Sequence, residues 1–309
     1  MSLRQQMKAL VISGGGSKGA FAGGVAEYLI TVEKQDYKIL LGTSTGSLLV
    51  PSLAIEDIED IKKAYTSVRQ QDIYNLSPFK IKKLKDGSIK TSINHFNILK
   101  QFLRGKKSFG EHKNLRKTIK KFFTEDDYHT AIRSDKKVVI SVANLTTRSM
   151  EYKYLRDCTY EDFVDWMWIS SSFVPFMSLI EKNGYEYADG GFGNYIPVQQ
   201  AIDAGATEID VIVLIPKYSD KQHEKSRNAF DVLMQSMQFM LKQIANDDIY
   251  IGHLESIYND QVKVRYFFTP RLLTENSFYF DPVQMNEWWT EGYEFAAQKI
   301  KSYNARTSV

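Results

Sequence analysis

Short unbroken apolar runs alternate along this chain with longer stretches in which apolar residues recur every three or four positions. The runs predict strands at residues 9–13, 38–41, 137–143, 185–188, 209–215 and 262–269. The periodic stretches predict helices at residues 19–32, 46–54, 58–70, 160–171, 228–258 and 282–301. Strands that are apolar throughout, rather than alternating, are those covered on both faces. The pattern therefore predicts an α/β fold, a three-layer α/β/α arrangement around a mostly parallel central sheet. No linker rich in Pro, Gly or Ser, no repeat and no low-complexity segment divides residues 1–309, so one domain is expected, with Met1 to Gln6 as a loose tail. The Met-bearing helix at 228–258 (Met234, Met237, Met240) is expected to pack on the core. Trp288, Trp289, Tyr293 and Phe295 are expected to fill the end of the domain.

Two glycine-dense turns interrupt this pattern where strands end and helices begin. The second, Gly42-Thr43-Ser44-Thr45-Gly46, follows Ile39-Leu40-Leu41 and precedes a helical stretch. In a G-x-S-x-G elbow the backbone reverses so sharply at the serine that only hydrogen side chains fit two residues to either side, which Gly42 and Gly46 satisfy. The motif alone arises by chance in chains of this composition. Its setting between strand and helix favours Ser44 as a nucleophile over an ordinary tight turn. The first turn, Ser13-Gly14-Gly15-Gly16-Ser17-Lys18-Gly19, could converge backbone N–H groups on an oxyanion, with Lys18 and a helix N-terminus adding positive charge. Its glycines would equally permit close strand–helix packing. Gly14, Gly16 and Gly19 also satisfy G-x-G-x-x-G, but the next strand ends in Gly42-Thr43-Ser44 rather than in the acid a dinucleotide site needs, and a P-loop lacks its Lys-Ser/Thr.

A serine needs a base within hydrogen-bond reach. The best candidate is Asp189, at the end of the strand-like Tyr185-Glu186-Tyr187-Ala188, with Gly190 and Gly191 beyond. Both a catalytic carboxylate and a plain Asp-Gly turn fit this segment. A Ser-Asp-His triad would call on a late histidine, yet His223 lies in a polar run and His253 in a helical stretch, neither a context for a catalytic base.

Taken in order, Gly14 to Gly19, Gly42 to Gly46 and Asp189-Gly190-Gly191 resemble the patatin-like phospholipase family. The resemblance includes Ser170-Ser171-Ser172-Phe173-Val174-Pro175, similar to the family's small-residue-plus-proline stretch, and covers roughly residues 7–216. It implies a Ser-Asp dyad without histidine, Ser44 as nucleophile and Asp189 as base. It also implies an oxyanion hole in the loop Gly14, Gly15, Gly16, Ser17 and Lys18, and cleavage of fatty-acyl esters through an acyl-enzyme. The family often has Arg where Lys18 stands, which keeps the charge and loses the bidentate geometry. An acyltransferase or thioesterase with the same dyad would read alike, and so would an inactive module that binds anionic lipid.

Composition bounds the rest. One cysteine, Cys158, excludes an intrachain disulfide and suits a reducing compartment. No Cys/His cluster has metal-ligand spacing, so neither metal nor cofactor is expected. Without a signal segment or an 18-residue apolar run, a cytoplasmic protein is expected, with peripheral membrane contact as the only membrane role. Residues 79–137 hold 17 Lys/Arg against 6 Asp/Glu, a net of +11, which leaves −8 on the remainder of a chain of net +3. This basic insert, punctuated by Phe96, Phe102, Leu103, Phe109, Phe122 and Phe123, is expected either to cap the sheet or to lie in part on an anionic bilayer. No nucleic-acid motif accompanies the charge.

Overall fold

The computed structural model describes residues 7–83, 89–218 and 225–307. The expectations about Met1 to Gln6 and His223 lie outside them. The chain begins β1 (Lys8–Ile12), α1 (Gly19–Thr31), β2 (Ile39–Thr43), α2 (Thr45–Ala54), α3 (Ile58–Ser67), α4 (Gln70–Ile73), β3 (Phe79–Lys83) and β4 (Ile89–Ile93). It continues through α5 (His95–Leu103), α6 (Lys113–Phe122), α7 (Glu125–Arg133), β5 (Lys137–Asn144), β6 (Ser149–Tyr154), α8 (Tyr160–Ser170), β7 (Ile180–Lys182) and β8 (Tyr185–Asp189). It ends with α9 (Val198–Asp203), β9 (Glu208–Pro216), α10 (Ala229–Tyr258), β10 (Lys263–Thr269) and α11 (Pro282–Thr307).

The central sheet runs β10-β9-β1-β2-β5, parallel throughout, and then turns antiparallel through β8 and β7, with β6 also on β5. Side chains alternate across it, as the pleat demands. Leu10, Ile12, Leu40, Ile140, Ile212 and Leu214 enter one buried cluster with α1, α2, α3, α8 and α11. Ala9, Val11, Leu41, Val139, Val211 and Val213 enter a second with α9 and α10. These two cores make the three layers that the unbroken apolar runs predict. At the opposite end of the sheet from the glycine turns, Asp210 of β9 is held bidentately by Arg265 of β10 at 2.7 and 2.8 Å and by the Tyr37 hydroxyl at 2.5 Å. A buried carboxylate with three donors keeps its charge compensated.

Several elements were absent from the apolar pattern. The predicted helix at 58–70 is two pieces, α3 and α4, because Val68 turns extended. The basic segment contains a separate hairpin, β3 with β4, and three amphipathic helices. Helix α10 forms with the expected bounds, yet only Met237, Ala245, Asp248 and Gly252 are buried on it, while Phe239 and Met240 face outward. A 30-residue helix resting on a sheet edge has room to bury one line of side chains, fewer than its apolar content supplies.

The aromatic end of α11 does fill the molecule. Trp289 is fully buried, Tyr293 meets Tyr28 edge-on at 5.3 Å, and Phe295 lies 5.7 Å from Phe21. Gly23 and Gly24 of α1 make this possible, since a Cβ on Gly24 would stand 1.9 Å from the Trp289 carbonyl oxygen. Backbone cannot yield as a side chain can, so Gly24→Ala should lower stability by about 2 kcal/mol or more. Urea unfolding checks this, and a midpoint equal to wild type would show that α1 and α11 are less closely apposed.

Candidate active site

Strand β5 brings the two chemistry-bearing turns together. One of its edges is occupied by β6 from Val139 to Asn144. The other is divided: β2 pairs with it in parallel up to Thr43↔Ser141, and β8 pairs antiparallel from the opposite end down to Asp189↔Val142. The two strands thus meet tip to tip on adjacent residues of β5. Ser44 follows the last paired residue of β2, and Asp189 is the last paired residue of β8.

The elbow at Ser44 has the strain its glycines imply. Ser44 takes φ 55° and ψ −120°, a conformation that costs a non-glycine residue about 1–3 kcal/mol. A Cβ on Gly42 would be 2.3 Å from the Gly46 carbonyl carbon, and one on Gly46 would be 2.2 Å from the Ile12 carbonyl oxygen. The turn sets Ser44 at the N-cap of α2, where unpaired N–H groups and the helix dipole favour negative charge.

Ser44 Oγ donates to Asp189 Oδ2 at 2.6 Å, and the Gly191 N–H donates to Oδ1 at 2.8 Å. The Asp189 side chain is buried, and loss of water pushes its pKa up to about 7 against the two hydrogen bonds, which pull it down. The carboxyl therefore titrates near neutrality, where a carboxylate becomes a useful base.

The serine triplet 170–172 stitches both partners into place. Ser170 Oγ accepts the Ser44 N–H at 3.0 Å, Ser171 Oγ donates to the Ser44 carbonyl at 3.2 Å, and the Ser172 carbonyl accepts the Asp189 N–H at 2.9 Å. Behind it, His112 Nδ1 accepts the Ser178 N–H at 3.1 Å, which leaves Nε2 as the donor to Ser172 Oγ at 2.8 Å. Burial holds this imidazole neutral, with its pKa down to about 3. It braces the triplet and does not reach the dyad. Among the described residues no histidine bonds to Ser44 or Asp189, and the exposed His253 meets Tyr266 at a tilt, 5.0 Å between ring centroids.

Gly14, Gly15 and Gly16 border the same cavity as Ser44 and Asp189. The donors of this loop are unequally committed. The Gly14 N–H is given to the Tyr195 carbonyl at 3.2 Å, the Ser17 N–H to the Ser277 carbonyl at 2.9 Å, and the Lys18 N–H to the Gly15 carbonyl at 3.3 Å. The Gly15 and Gly16 N–H groups have no partner among the described residues. Lys18 Nζ is turned to the Leu214 carbonyl at 2.5 Å, away from solvent, and burial brings its pKa down to about 8. Its charge clamps the loop to the end of β9.

Beyond Ser44 the cavity is apolar, about 130 Å³, with Leu48, Ile61, Ile119, Met167, Phe173 and Met285 among its walls. Several contributors carried no motif. Helix α6 of the basic segment supplies Leu115 and Ile119. Leu241 comes from α10, and Ser277, Phe278 and Phe280 come from the loop before α11. Gln70 fixes that loop by donating to the Phe278 carbonyl and accepting the Phe280 N–H, both at 3.1 Å. Asp248, deep in α10, accepts the Ile196 N–H at 2.7 Å and so holds the segment whose Tyr195 carbonyl takes Gly14.

Comparison with known proteins then decides the relationship. The sequence model of the family described as Patatin-like phospholipase matches residues 10–202. The chain belongs to the patatin-like phospholipase family. Family membership carries lipid acyl hydrolase chemistry in general, and the central sheet with its flanking helices is a patatin-like fold. One similar solved structure is that of VipD from Legionella pneumophila, at 16% identity and a TM-score of 0.55, covering 96% of this chain and 67% of that one. Among curated proteins no match is found. The family match ends at 202, so Leu241, Asp248 and the loop at Ser277 complete a patatin-like site from outside the matched segment.

The raised pKa of Asp189 has a consequence for folding. Between about pH 4 and 7 the native carboxyl holds a proton that the unfolded one has lost, so its ionisation erodes stability as pH rises across that window. Asp189→Asn keeps the shape and the Gly191 hydrogen bond without the buried charge. Its melting temperature relative to wild type should therefore climb from pH 5 to pH 8, and a difference that stays flat would contradict the raised pKa.

Proposed function

We propose that this protein is a serine acyl hydrolase that cleaves fatty-acyl esters of lipids with Ser44 and Asp189 as its whole proton-transfer apparatus. The observation that carries this is the 2.6 Å hydrogen bond between Ser44 Oγ and Asp189 Oδ2 in the wall of an apolar cavity. Ser44 Oγ attacks the ester carbonyl carbon while its proton passes to Asp189 Oδ2. The carbonyl oxygen, now negative, is met by the Gly15 and Gly16 N–H groups and the positive end of α2. Collapse breaks the bond to the alcohol, which leaves with the proton held on Asp189. Water then enters, gives its proton to Asp189 and attacks the acyl carbon, and the second collapse returns a proton to Ser44 and frees the fatty acid.

The cavity supports the acyl half of this assignment. Its walls are mostly hydrocarbon and aromatic, so a fatty chain gains by leaving water there. Burial of the Asp189 carboxyl in this wall is what raises the base toward neutrality. An acyltransferase or thioesterase would share the first half of the cycle and differ only in what takes or carries the acyl group.

Turnover of a short-chain nitrophenyl ester tests the dyad. Ser44→Ala should lose activity by about 10⁴-fold or more, and Asp189→Asn by a similar order. In the wild type, kcat/KM should rise tenfold per pH unit up to about pH 7 and then level, because only the ionised carboxyl accepts the proton. Near wild-type turnover by Asp189→Asn, or a profile flat from pH 5 to 8, would sink the assignment.

A further inference from the structure

Helix α5 turns an apolar face outward. Phe96, Leu99 and Leu103 recur at helical spacing on one side, with Phe102 beside them, and are 71%, 56%, 80% and 62% exposed. The opposite side is already used, since Ile98 and Gln101 are buried against the protein. A stripe of large apolar side chains on an exposed helix needs a partner.

The charge around this helix says what kind. Residues 95–110 contain Lys100, Arg104, Lys106 and Lys107 and no Asp or Glu, and Lys80 and Lys82 of the neighbouring hairpin are also exposed. Lys107 pairs with Glu186 at 2.5 Å, whereas Lys100, Arg104 and Lys106 have no ion pair among the described residues. Cations flanking an apolar stripe match a surface with negative headgroups above hydrocarbon.

The interior adds a second, independent line. Phe102 lies 6.0 Å from Phe109, Phe109 lies 5.6 Å from Phe176, and Phe176 lies 6.4 Å from Phe173 and 6.2 Å from Phe278. Phe173 and Phe278 are walls of the cavity at Ser44. An unbroken row of rings therefore joins the exposed face of α5 to the acyl cavity.

We propose that α5 is the docking helix by which this protein seats itself on an anionic lipid surface, with the aromatic row as the apolar path from that surface to Ser44. The assignment deepens the lipid acyl hydrolase reading and rests on it for the destination of the path. Docking itself needs no turnover, so it is measured in the Ser44→Ala background. Flotation with vesicles of phosphatidylcholine, with and without phosphatidylglycerol, reads binding directly.

The Ser44→Ala protein should bind the phosphatidylglycerol vesicles about tenfold or more tightly than the neutral ones. Adding Phe96→Ser, Leu99→Ser and Leu103→Ser should weaken that binding at least about tenfold with an unchanged circular dichroism spectrum, because these side chains are already in water. Arg104→Glu with Lys106→Glu should abolish the preference for the anionic vesicles. Equal flotation of the triple-serine variant and its parent would overturn the proposal. So would failure of the parent to bind any vesicle, which would leave α5 as a face for a protein. Intact flotation beside an inactive wild type would instead overturn the catalytic reading alone.

Discussion

The site depends on a division of one strand edge. β5 offers eight residues, and β6 covers one side of its outer part, so β2 and β8 must share the other. Because one is parallel to β5 and the other antiparallel, their C-terminal ends converge. The hydroxyl of one and the carboxyl of the other then meet without either strand bending. Sheet hydrogen bonds fix both backbones to about the tolerance of the ladder, which is what the proposed two-residue proton relay requires. A histidine would add reach between groups further apart; here nothing needs to be spanned.

That geometry places a carboxylate where water is scarce, and two demands then oppose each other. Burial raises the pKa of Asp189 and makes it a better base, but the same burial makes its charged form costly to the fold. Two hydrogen bonds, from Ser44 and Gly191, hold the balance near neutrality. A third donor would pull the carboxyl back toward an ordinary, feeble aspartate, and none would leave it protonated. The strained Ser44 backbone is likewise tolerated because the serine triplet binds its N–H and its carbonyl.

What was legible in the sequence is what steric necessity writes into residue type. Gly42 and Gly46 are glycines because backbone occupies the space of a Cβ, so the elbow could be read from letters alone. The unbroken apolar runs likewise declared the doubly covered strands. Much else had no local signature. β6 alternates Met150, Tyr152 and Tyr154 with Ser149, Glu151 and Lys153, the period of a half-exposed edge strand and not an unbroken apolar run, and β7 spans only three residues. Ser170 to Ser172 were noticed as part of a motif, but their hydrogen bonds reach residues up to 127 positions away, which no spacing encodes. Asp248 sits in a long helix as one acid among others, and only its burial against Ile196 marks it. Lys18 was read as charge for an oxyanion, and its commitment to the Leu214 carbonyl is visible only once β9 lies beside β1.

The glycine loop between β1 and α1, proposed to meet the oxyanion, shows how the later part of the chain acts on the earlier. A glycine turn by itself offers several N–H groups in no particular order. Here the Gly14 donor is taken by Tyr195, whose segment Asp248 of α10 anchors, and the Ser17 donor is taken by Ser277, whose loop Gln70 anchors. The loop is pinned at both ends, and Gly15 and Gly16 between them keep their donors unspent. Their availability follows by subtraction from contacts made about 180 to 260 residues downstream. A donor that is held in place yet unpaired costs something in the resting protein and returns it when charge develops beside it, which is the sense in which such a loop is preorganised.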